Sequence, residues 1–167
     1  MKTNVTYETD TPLGRVLLGG DGEALTGLWF MGQAHFGQGL SPTAMAGDCP
    51  VFHEAEAWLR RYFSGGAPGH CPPLAPQGTD FQKAVWDELL AIPYGETRTY
   101  GEIAAALSRK LGRNVSARAV GGAVGRNPIS LLIPCHRVLG AGGKLTGYAG
   151  GLERKTALLR LEGILPR

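Results

Sequence analysis

The residue best suited to do chemistry is Cys135, in the run Ile-Pro-Cys-His-Arg-Val at residues 133–138. An apolar stretch at residues 129–133 precedes it and predicts a short buried strand, which Pro134 ends because proline donates no ladder hydrogen bond. His136 and Arg137 follow the thiol, and positive neighbours lower a thiol pKa. Cys135 is therefore a candidate nucleophile.

The alternative is that Cys135 is a small buried hydrophobe, which is the commoner role of a cysteine after an aliphatic run. The charge pattern favours the nucleophile. Residues 98–144 carry eight Lys and Arg against Glu102 alone, so this stretch has a net charge of +7 in a chain of net +3. Such a concentration of positive charge favours a surface that binds a polyanion, most often nucleic acid, over a basic surface that only contacts solvent.

Three helices are predicted around this basic stretch. Thr79 is a predicted N-cap with Gln82 at the capping-box position, and Thr99 with Glu102 repeats the pattern. Ser116 is predicted to cap a helix over residues 117–125. The second and third helices, joined by a turn, resemble a helix-turn-helix.

The third helix contains Gly121 and Gly122, each of which costs a helix interior about 1 kcal/mol relative to alanine. A helix that contains both glycines is expected to have its backbone in close contact with another helix or another molecule. A packed neighbouring helix and a nucleic acid are both open at this point.

The fold class predicted is an α/β N-terminal domain, residues 1–78, followed by a mainly helical C-terminal domain, residues 79–167. The N-terminal domain combines a three-stranded antiparallel sheet over residues 5–30, a loop over 33–50 and a helix over 51–63. Residues 64–78, rich in Gly and Pro, form a linker. A last helix over residues 152–161 is predicted to bury Leu152, Leu158, Leu159 and Leu161 and to expose Lys155 and Arg160.

Composition restricts the class of protein. The sequence of 167 residues contains no apolar run near the roughly 20 residues of a membrane span. Residues 1–8 lack the apolar core of a secretory signal, and the three cysteines form no disulfide framework. We expect a reduced, cytoplasmic protein.

Zinc is the one metal that the sequence raises. Cys49 and His53, with His70 and Cys71, supply two cysteines and two histidines, but their spacing differs from common zinc-ribbon patterns. We predict no metal and no cofactor.

Five motifs in order resemble the O6-alkylguanine-DNA alkyltransferases over roughly residues 80–163. They are Ala-Arg-Ala-Val-Gly-Gly-Ala at 117–123, Asn-Pro at 127–128, Ile-Pro-Cys-His-Arg-Val at 133–138, Gly-Tyr-Ala-Gly-Gly at 147–151 and Leu-Glu-Gly at 161–163. The turn at residues 108–115 is longer than the family's tight turn.

The resemblance implies DNA repair in which Cys135 irreversibly accepts an alkyl group from O6-alkylguanine, and less well from O4-alkylthymine. The damaged base is flipped out of double-stranded DNA bound through its minor groove. Each molecule acts once, as a methylated-DNA–protein-cysteine methyltransferase. We expect a monomer, with cooperative binding on DNA left open.

The resemblance also implies roles for the catalytic residues. His136 accepts the thiol proton through a water and is oriented by Glu162. Asn127 is a hinge residue that hydrogen-bonds near the cysteine, and Tyr100 donates a proton to the guanine. Without the resemblance, a lone histidine or a terminal glutamate is more often structural.

Further residues are implied to bind the DNA and the base. Arg118 fills the vacated stack, although a phosphate contact is its alternative role. Its neighbours on the DNA-binding surface are Ser116, Ala119, Gly121 and Gly122. The pocket for the alkylated base takes Pro134, Val138, Leu145, Tyr148, Ala149 and Gly150.

Two rival functions remain. A cysteine hydrolase could use Cys135, His136 and Asn127, but neighbours in sequence usually point apart, so His136 is poorly placed to contact the sulfur. A DNA-binding regulator without chemistry would explain the basic helices but not the thiol.

Overall fold

The computed structural model describes residues 3–166. The chain divides into two compact units, one formed by the chain up to Gly78 together with Pro128–Leu132, the other by Thr79–Asn127 and the chain from Ile133 onward. Residues 1, 2 and 167 lie outside the described residues. They include the first residue of the predicted N-terminal domain, the last residue of the predicted C-terminal domain, and the first two of the residues 1–8 that were assessed for a secretory signal. No helix within residues 3–166 has the length and apolarity to cross a membrane.

The sheet of the first unit is mixed and four-stranded. Strands β1 (Thr3–Thr11), β2 (Gly14–Gly20) and β3 (Leu25–Phe30) pair antiparallel, and β4 (Leu40–Ala46) adds to β1 in parallel, giving the order β3-β2-β1-β4. The predicted three-stranded antiparallel sheet is therefore wrong, and so is the loop predicted over residues 33–50. β4 is a mostly exposed edge strand that contains Pro42, so it lacks the alternation that identifies a half-buried strand.

Helix α1 (Pro50–Phe63) follows the sheet in the first unit, and the linker leads away from it. Residues 64–78 contain no helix or strand, only a bridge of Leu74 to Leu25, where the Leu25 amide donates to the Pro73 carbonyl at 2.8 Å. The helix has the apolar stripe that was predicted for it, and its buried side chains are Val51, Phe52, Ala55, Trp58, Leu59 and Tyr62.

The second unit contains four α-helices, two short 3-10 turns and a two-stranded sheet among its described residues. The helices are α2 (Asp80–Leu90), α3 (Tyr100–Leu111), α4 (Ala117–Gly125) and α5 (Leu152–Leu161), and β5 (Arg98–Thr99) pairs in parallel with β6 (Val138–Leu139).

The predicted caps of α2, α3 and α4 are confirmed, because the side chains of Thr79, Thr99 and Ser116 each accept a backbone hydrogen bond from the third residue beyond. The indole of Trp86 donates to the Ala123 carbonyl at 2.9 Å and so joins α2 to α4.

The first half of the turn predicted over residues 108–115 is the end of α3. The helix runs to Leu111 and ends at Gly112, whose φ of +66° is the left-handed conformation of a C-cap. Lys110 forms a salt bridge with Glu88 of α2, and the guanidinium of Arg113 lies 5.6 Å from the centre of the Phe81 ring. Lys110 and Arg113 of this turn are thus both directed to α2.

The strand predicted before Cys135 is wrong. Ile129 forms a single bridge to Leu28, Leu131 adopts a φ of +73°, and Cys135–Arg137 form one 3-10 turn. The segment is buried as predicted, but a short apolar run does not distinguish a buried strand from a buried turn.

Two predictions for α5 are also wrong. Lys155, expected at the surface, is 0% exposed, whereas Leu152, expected in the core, is 49% exposed. The inner face follows the spacing of Lys155, Leu158, Leu159 and Glu162, and Leu161 is only half-buried. A prediction based only on the apolar residues therefore placed the buried face of α5 wrongly.

The capping box of α2 gives a stability prediction. Thr79→Ala removes the hydroxyl that accepts from the Gln82 amide at 3.1 Å. We expect it to lower the free energy of unfolding by about 1 kcal/mol, as measured by chemical denaturation followed by circular dichroism. Thr79→Ser retains the acceptor and should stay close to the unsubstituted protein; equal losses for both variants would assign the effect to packing of the methyl group.

Candidate active site

Cys135 opens the 3-10 turn, and its residue is 4% exposed. Burial raises the pKa of its thiol, while a hydrogen bond from Asn127 and the positive charge of Lys155 act in the opposite direction. The expectation of a lowered pKa is wrong because burial outweighs the groups that favour the thiolate, and the side chains of His136 and Arg137 are directed to Glu162. The sulfur is thus a protected, mainly protonated thiol.

Asn127 lies at the end of the segment that follows α4, and it is buried. Its Nδ2 donates to the Ile133 carbonyl at 2.9 Å, in addition to the hydrogen bond that its side chain makes with Cys135. One amide therefore fixes the backbone immediately before the reactive turn and contacts the sulfur as well.

Glu162, the C-cap of α5, is the acceptor at the centre of the site. Its Oε2 lies 2.6 Å from His136 Nε2, and its Oε1 accepts from Arg137 Nε at 2.8 Å and from the Gly95 amide at 2.9 Å. Burial alone would raise the pKa of this carboxyl, but the hydrogen bonds that it accepts from His136, Arg137 and the Gly95 amide outweigh burial and lower the pKa to about 2. Glu162 is therefore ionised at neutral pH.

His136 is fully buried, and burial lowers its pKa even though Glu162 acts to raise it. The imidazole is therefore neutral near pH 7. A carboxylate only accepts hydrogen bonds, so Nε2 carries the proton donated to Glu162, and Nδ1 carries the lone pair that can act as a base.

Arg137, which was expected from its position in the sequence to act on Cys135, is instead the counter-ion of Glu162. Its NH1 group donates to the Ile92 carbonyl at 2.8 Å, and its guanidinium lies 5.7 Å from the centre of the Tyr94 ring. The residues missed from sequence were Gly95, which contributes only a backbone amide, and Lys155, whose signal was its spacing from Leu158 and Glu162.

An open pocket of about 520 Å³ lies between the starts of α3 and α4 and the segment before α5. Tyr100, Arg118 and Gly121 line it together, and the Tyr100 hydroxyl accepts from Thr146 Oγ1 at 3.4 Å. The other lining residues are Thr99, Gly101, Ala117, Ala141, Thr146 and Gly147.

The residues predicted to hold the alkylated base lie elsewhere in the second unit and do not line this pocket. Pro134, Val138 and Gly150 are buried, Tyr148 and Ala149 are half-buried, and Leu145 is exposed.

The outer face of α4 is open. Ser116, Arg118 and Ala119 are exposed. A Cβ built on Gly122 would meet nothing within 4 Å, and one on Gly121 would make only ordinary contact with the Tyr100 ring at 3.8 Å. Packing within this chain therefore does not require glycine at residue 122.

Within residues 3–166, no group of three or more His, Cys, Asp or Glu side chains could hold a metal ion. Of the four residues considered for zinc, His53 is paired with Asp48 at 2.8 Å and Cys49 is the N-cap residue of α1.

Comparison with known proteins covers nearly the whole chain. A profile described as 6-O-methylguanine DNA methyltransferase, DNA binding domain, matches residues 80–164. The methylated-DNA--protein-cysteine methyltransferase of Methanosarcina acetivorans is 48% identical over 92% of this chain and 95% of its own. The protein of that name from Mycobacterium tuberculosis H37Rv is 48% identical over 93% and 91%.

Solved structures that are similar to this chain carry the same description. The crystal structure of Mycobacterium tuberculosis OGT in complex with DNA has a TM-score of 0.81 and 46% identity, covering 95% of this chain and 92% of that one. An O6-methylguanine DNA methyltransferase from Methanococcus jannaschii has a TM-score of 0.63 and 27% identity, covering 96% and 95%.

The depressed pKa of Glu162 predicts an acid-dependent loss of stability. A carboxyl whose pKa falls from its ordinary value of 4.5 to about 2 on folding contributes stability above pH 4.5 that is lost as the pH falls toward 2. Glu162→Gln should lower the free energy of unfolding by a few kcal/mol at pH 7, on the order expected for a buried ion pair that loses one partner. Denaturant unfolding from pH 7 to pH 2 should show the difference between the two proteins shrinking below pH 4.5; a constant difference would contradict the assignment.

Proposed function

Because a relative 48% identical spans 92% of it and the family profile matches residues 80–164, the chain belongs to the 6-O-methylguanine DNA methyltransferase family, and we propose that Cys135 is the residue that accepts the alkyl group. The activity is DNA repair by direct transfer of that group from the damaged base to protein. The substrate is O6-alkylguanine in double-stranded DNA, with O4-alkylthymine the poorer one.

The observation that carries this proposal is the buried thiol in one turn with a neutral imidazole held by an ionised carboxylate. His136 takes the Cys135 proton through a water, and Glu162 stabilises the imidazolium that forms. The thiolate then attacks the alkyl carbon, so a carbon–sulfur bond forms as the carbon–O6 bond breaks. The electron pair leaves with guanine.

The departing guanine needs a proton, and Tyr100 is proposed to donate it. Its ring lines the open pocket beside α4, which fits a base that has left the stack. A general acid of this kind contributes about 10² to 10⁴ in rate. The thioether left on Cys135 does not release its alkyl group to water, so each molecule acts once.

The DNA-binding surface proposed is the exposed face of α4, laid in the minor groove by one protein molecule. Arg118, which lines the pocket, would fill the gap left by the flipped base. Extrusion costs a few kcal/mol, least for a lesion that already pairs badly. Ser116, Ala119, Gly121 and Gly122 bring the helix backbone close to the sugar–phosphate chains.

The pocket residues inferred from the resemblance remain part of this proposal. Pro134 and Val138 flank the reactive turn, and Leu145, Tyr148, Ala149 and Gly150 belong to the segment before α5. That segment has no helix or strand between Leu145 and Tyr148, so it can rearrange around a base with little loss of regular structure.

Mass spectrometry tests the acceptor directly. After incubation with duplex DNA containing O6-methylguanine, Cys135 should gain one methyl group, and methyl transferred should saturate at one per protein molecule. Cys135→Ser should gain none, and Cys71→Ser, which removes an exposed thiol, should behave as the unsubstituted protein. Loss of many lesions per molecule would indicate a hydrolase, and DNA binding without any mass gain would indicate a regulator.

Gly122→Leu tests the close approach of α4 to DNA. Leucine is the better helix former by about 1 kcal/mol, residue 122 is exposed, and a Cβ there meets nothing within 4 Å, so the free energy of unfolding should rise or stay equal. Affinity for duplex DNA should nevertheless fall by at least about tenfold, which corresponds to 1.4 kcal/mol. Fluorescence anisotropy with labelled duplex measures it, and Gly125→Leu, at the end of the same helix, is the control. Unchanged affinity of the Gly122 variant would remove this residue from the proposed interface.

A further inference from the structure

A second concave region, of about 320 Å³, lies beside α4 and is called the side cleft below. Ser116 and Ala119, two exposed residues of the proposed DNA-binding surface, form one wall of it. The full lining is Phe81, Arg113, Asn114, Val115, Ser116 and Ala119. The pocket that contains Tyr100 shares none of these residues. The side cleft is therefore a separate feature of the same surface.

Arg113 is the cation of the side cleft. It is exposed, and its guanidinium lies 5.6 Å from the centre of the Phe81 ring. An aromatic face attracts a guanidinium and orients its plane without neutralising its charge. No carboxylate of the described residues forms a salt bridge with Arg113, whereas Lys110 of the same turn is paired with Glu88. Arg113 therefore keeps its positive charge available to a partner.

The polar groups around Arg113 suit an anion. Asn114 is exposed and carries amide N–H donors. The Ser116 hydroxyl accepts from the Ala119 amide at 3.1 Å, and a hydroxyl that accepts one bond can still donate its own proton. Guanidinium, amide and hydroxyl groups are among those that contact phosphate oxygens in protein–DNA complexes. None of the six lining residues is acidic, so no carboxylate in the lining repels an anion.

The position of the side cleft relative to α4 determines what reaches it. At about 100° per helical residue, Ser116 and Ala119 lie on one side of the helix, and Arg118 and Gly121, which line the pocket with Tyr100, lie on the other. A helix that lies in a DNA groove has a sugar–phosphate strand on each side. The strand on the side away from Tyr100 therefore passes the side cleft.

We propose that Arg113, stacked on Phe81, binds a backbone phosphate of the duplex, so that the DNA contact extends from α4 to the turn that precedes it. The inference rests on the proposed DNA-binding surface of α4. A phosphate contact is independent of sequence, so damaged and undamaged duplex should use it equally. The alternative is that Arg113 only packs on Phe81 and stabilises the turn, which would leave the salt dependence of DNA binding unchanged.

The test measures the affinity of the full chain for labelled undamaged duplex by fluorescence anisotropy, at KCl concentrations from about 50 to 200 mM. Arg113→Gln removes the charge. Arg109→Gln is the matched control, because it removes an exposed arginine from the preceding helix that does not line the side cleft. Arg113→Lys and Phe81→Leu separate the charge from the stacking, and circular dichroism checks that each variant is folded.

One phosphate contact contributes about 0.9 to the slope of log affinity against log salt concentration. Arg113→Gln should therefore bind more weakly, with a slope that is less steep by about this amount. Arg113→Lys retains the charge and should keep the slope. Phe81→Leu should also keep the slope but lower the affinity about two- to fivefold, as expected for the loss of an exposed cation–π contact. Arg109→Gln should leave the slope unchanged.

An unchanged slope for folded Arg113→Gln would overturn the proposal. An equal change for Arg109→Gln would also overturn it, because the general positive charge of the region would then explain the result. If Phe81→Leu does not fold, the three arginine variants decide. Failure of the proposed function would look different: Arg113→Gln would change the slope, yet Gly122→Leu would keep its affinity or Cys135 would gain no methyl from O6-methylguanine duplex.

Discussion

The hydrogen bonding of the ionised Glu162 carboxylate is the interaction on which the arrangement of the candidate site depends. A buried charge of this kind is stable only when donors surround it, and here His136, Arg137 and the Gly95 amide fill that role. The same three bonds join the end of α5 to the reactive turn and to the segment before β5. Order at the thiol is therefore a consequence of satisfying one acceptor at the C-terminus of a helix.

Features set by local rules were predictable. The caps at Thr79, Thr99 and Ser116 follow from side chains that bond to an amide three residues away, and the stripe of α1 follows from helical period.

The failures all depend on partners distant in the chain. β4 is a strand because β1 supplies its hydrogen bonds, although its own sequence has no alternation. Residues 129–133 form a turn because the Ser130 amide and the Pro128 carbonyl bond to Leu28. Lys155 is buried because three carbonyls from two earlier segments, Val138 after the reactive turn and Thr146 and Gly147 before α5, converge on it.

The candidate site shows the same division. Cys135, His136, Asn127 and Glu162 could be named from motif order, but the electrostatics could not be inferred from adjacency in sequence. Arg137 lies two residues from Cys135 yet neutralises Glu162, whereas Lys155, twenty positions away, acts on the sulfur. Distance along the chain is a poor guide to which charges act on a given group, because a turn directs consecutive side chains to different partners.

A buried thiol with a raised pKa is a poor nucleophile in isolation, and that property suits a residue proposed to react only once. Exposed, acidic thiols are the ones that oxidants and stray electrophiles modify. Cys135 avoids those reactions because it is 4% exposed and held mainly protonated. The groups that favour its anion, Asn127 and Lys155, belong to the same framework that holds the turn and the pocket wall. Reactivity is then confined to a substrate that reaches the sulfur inside the site, where a neutral imidazole is available to take the proton.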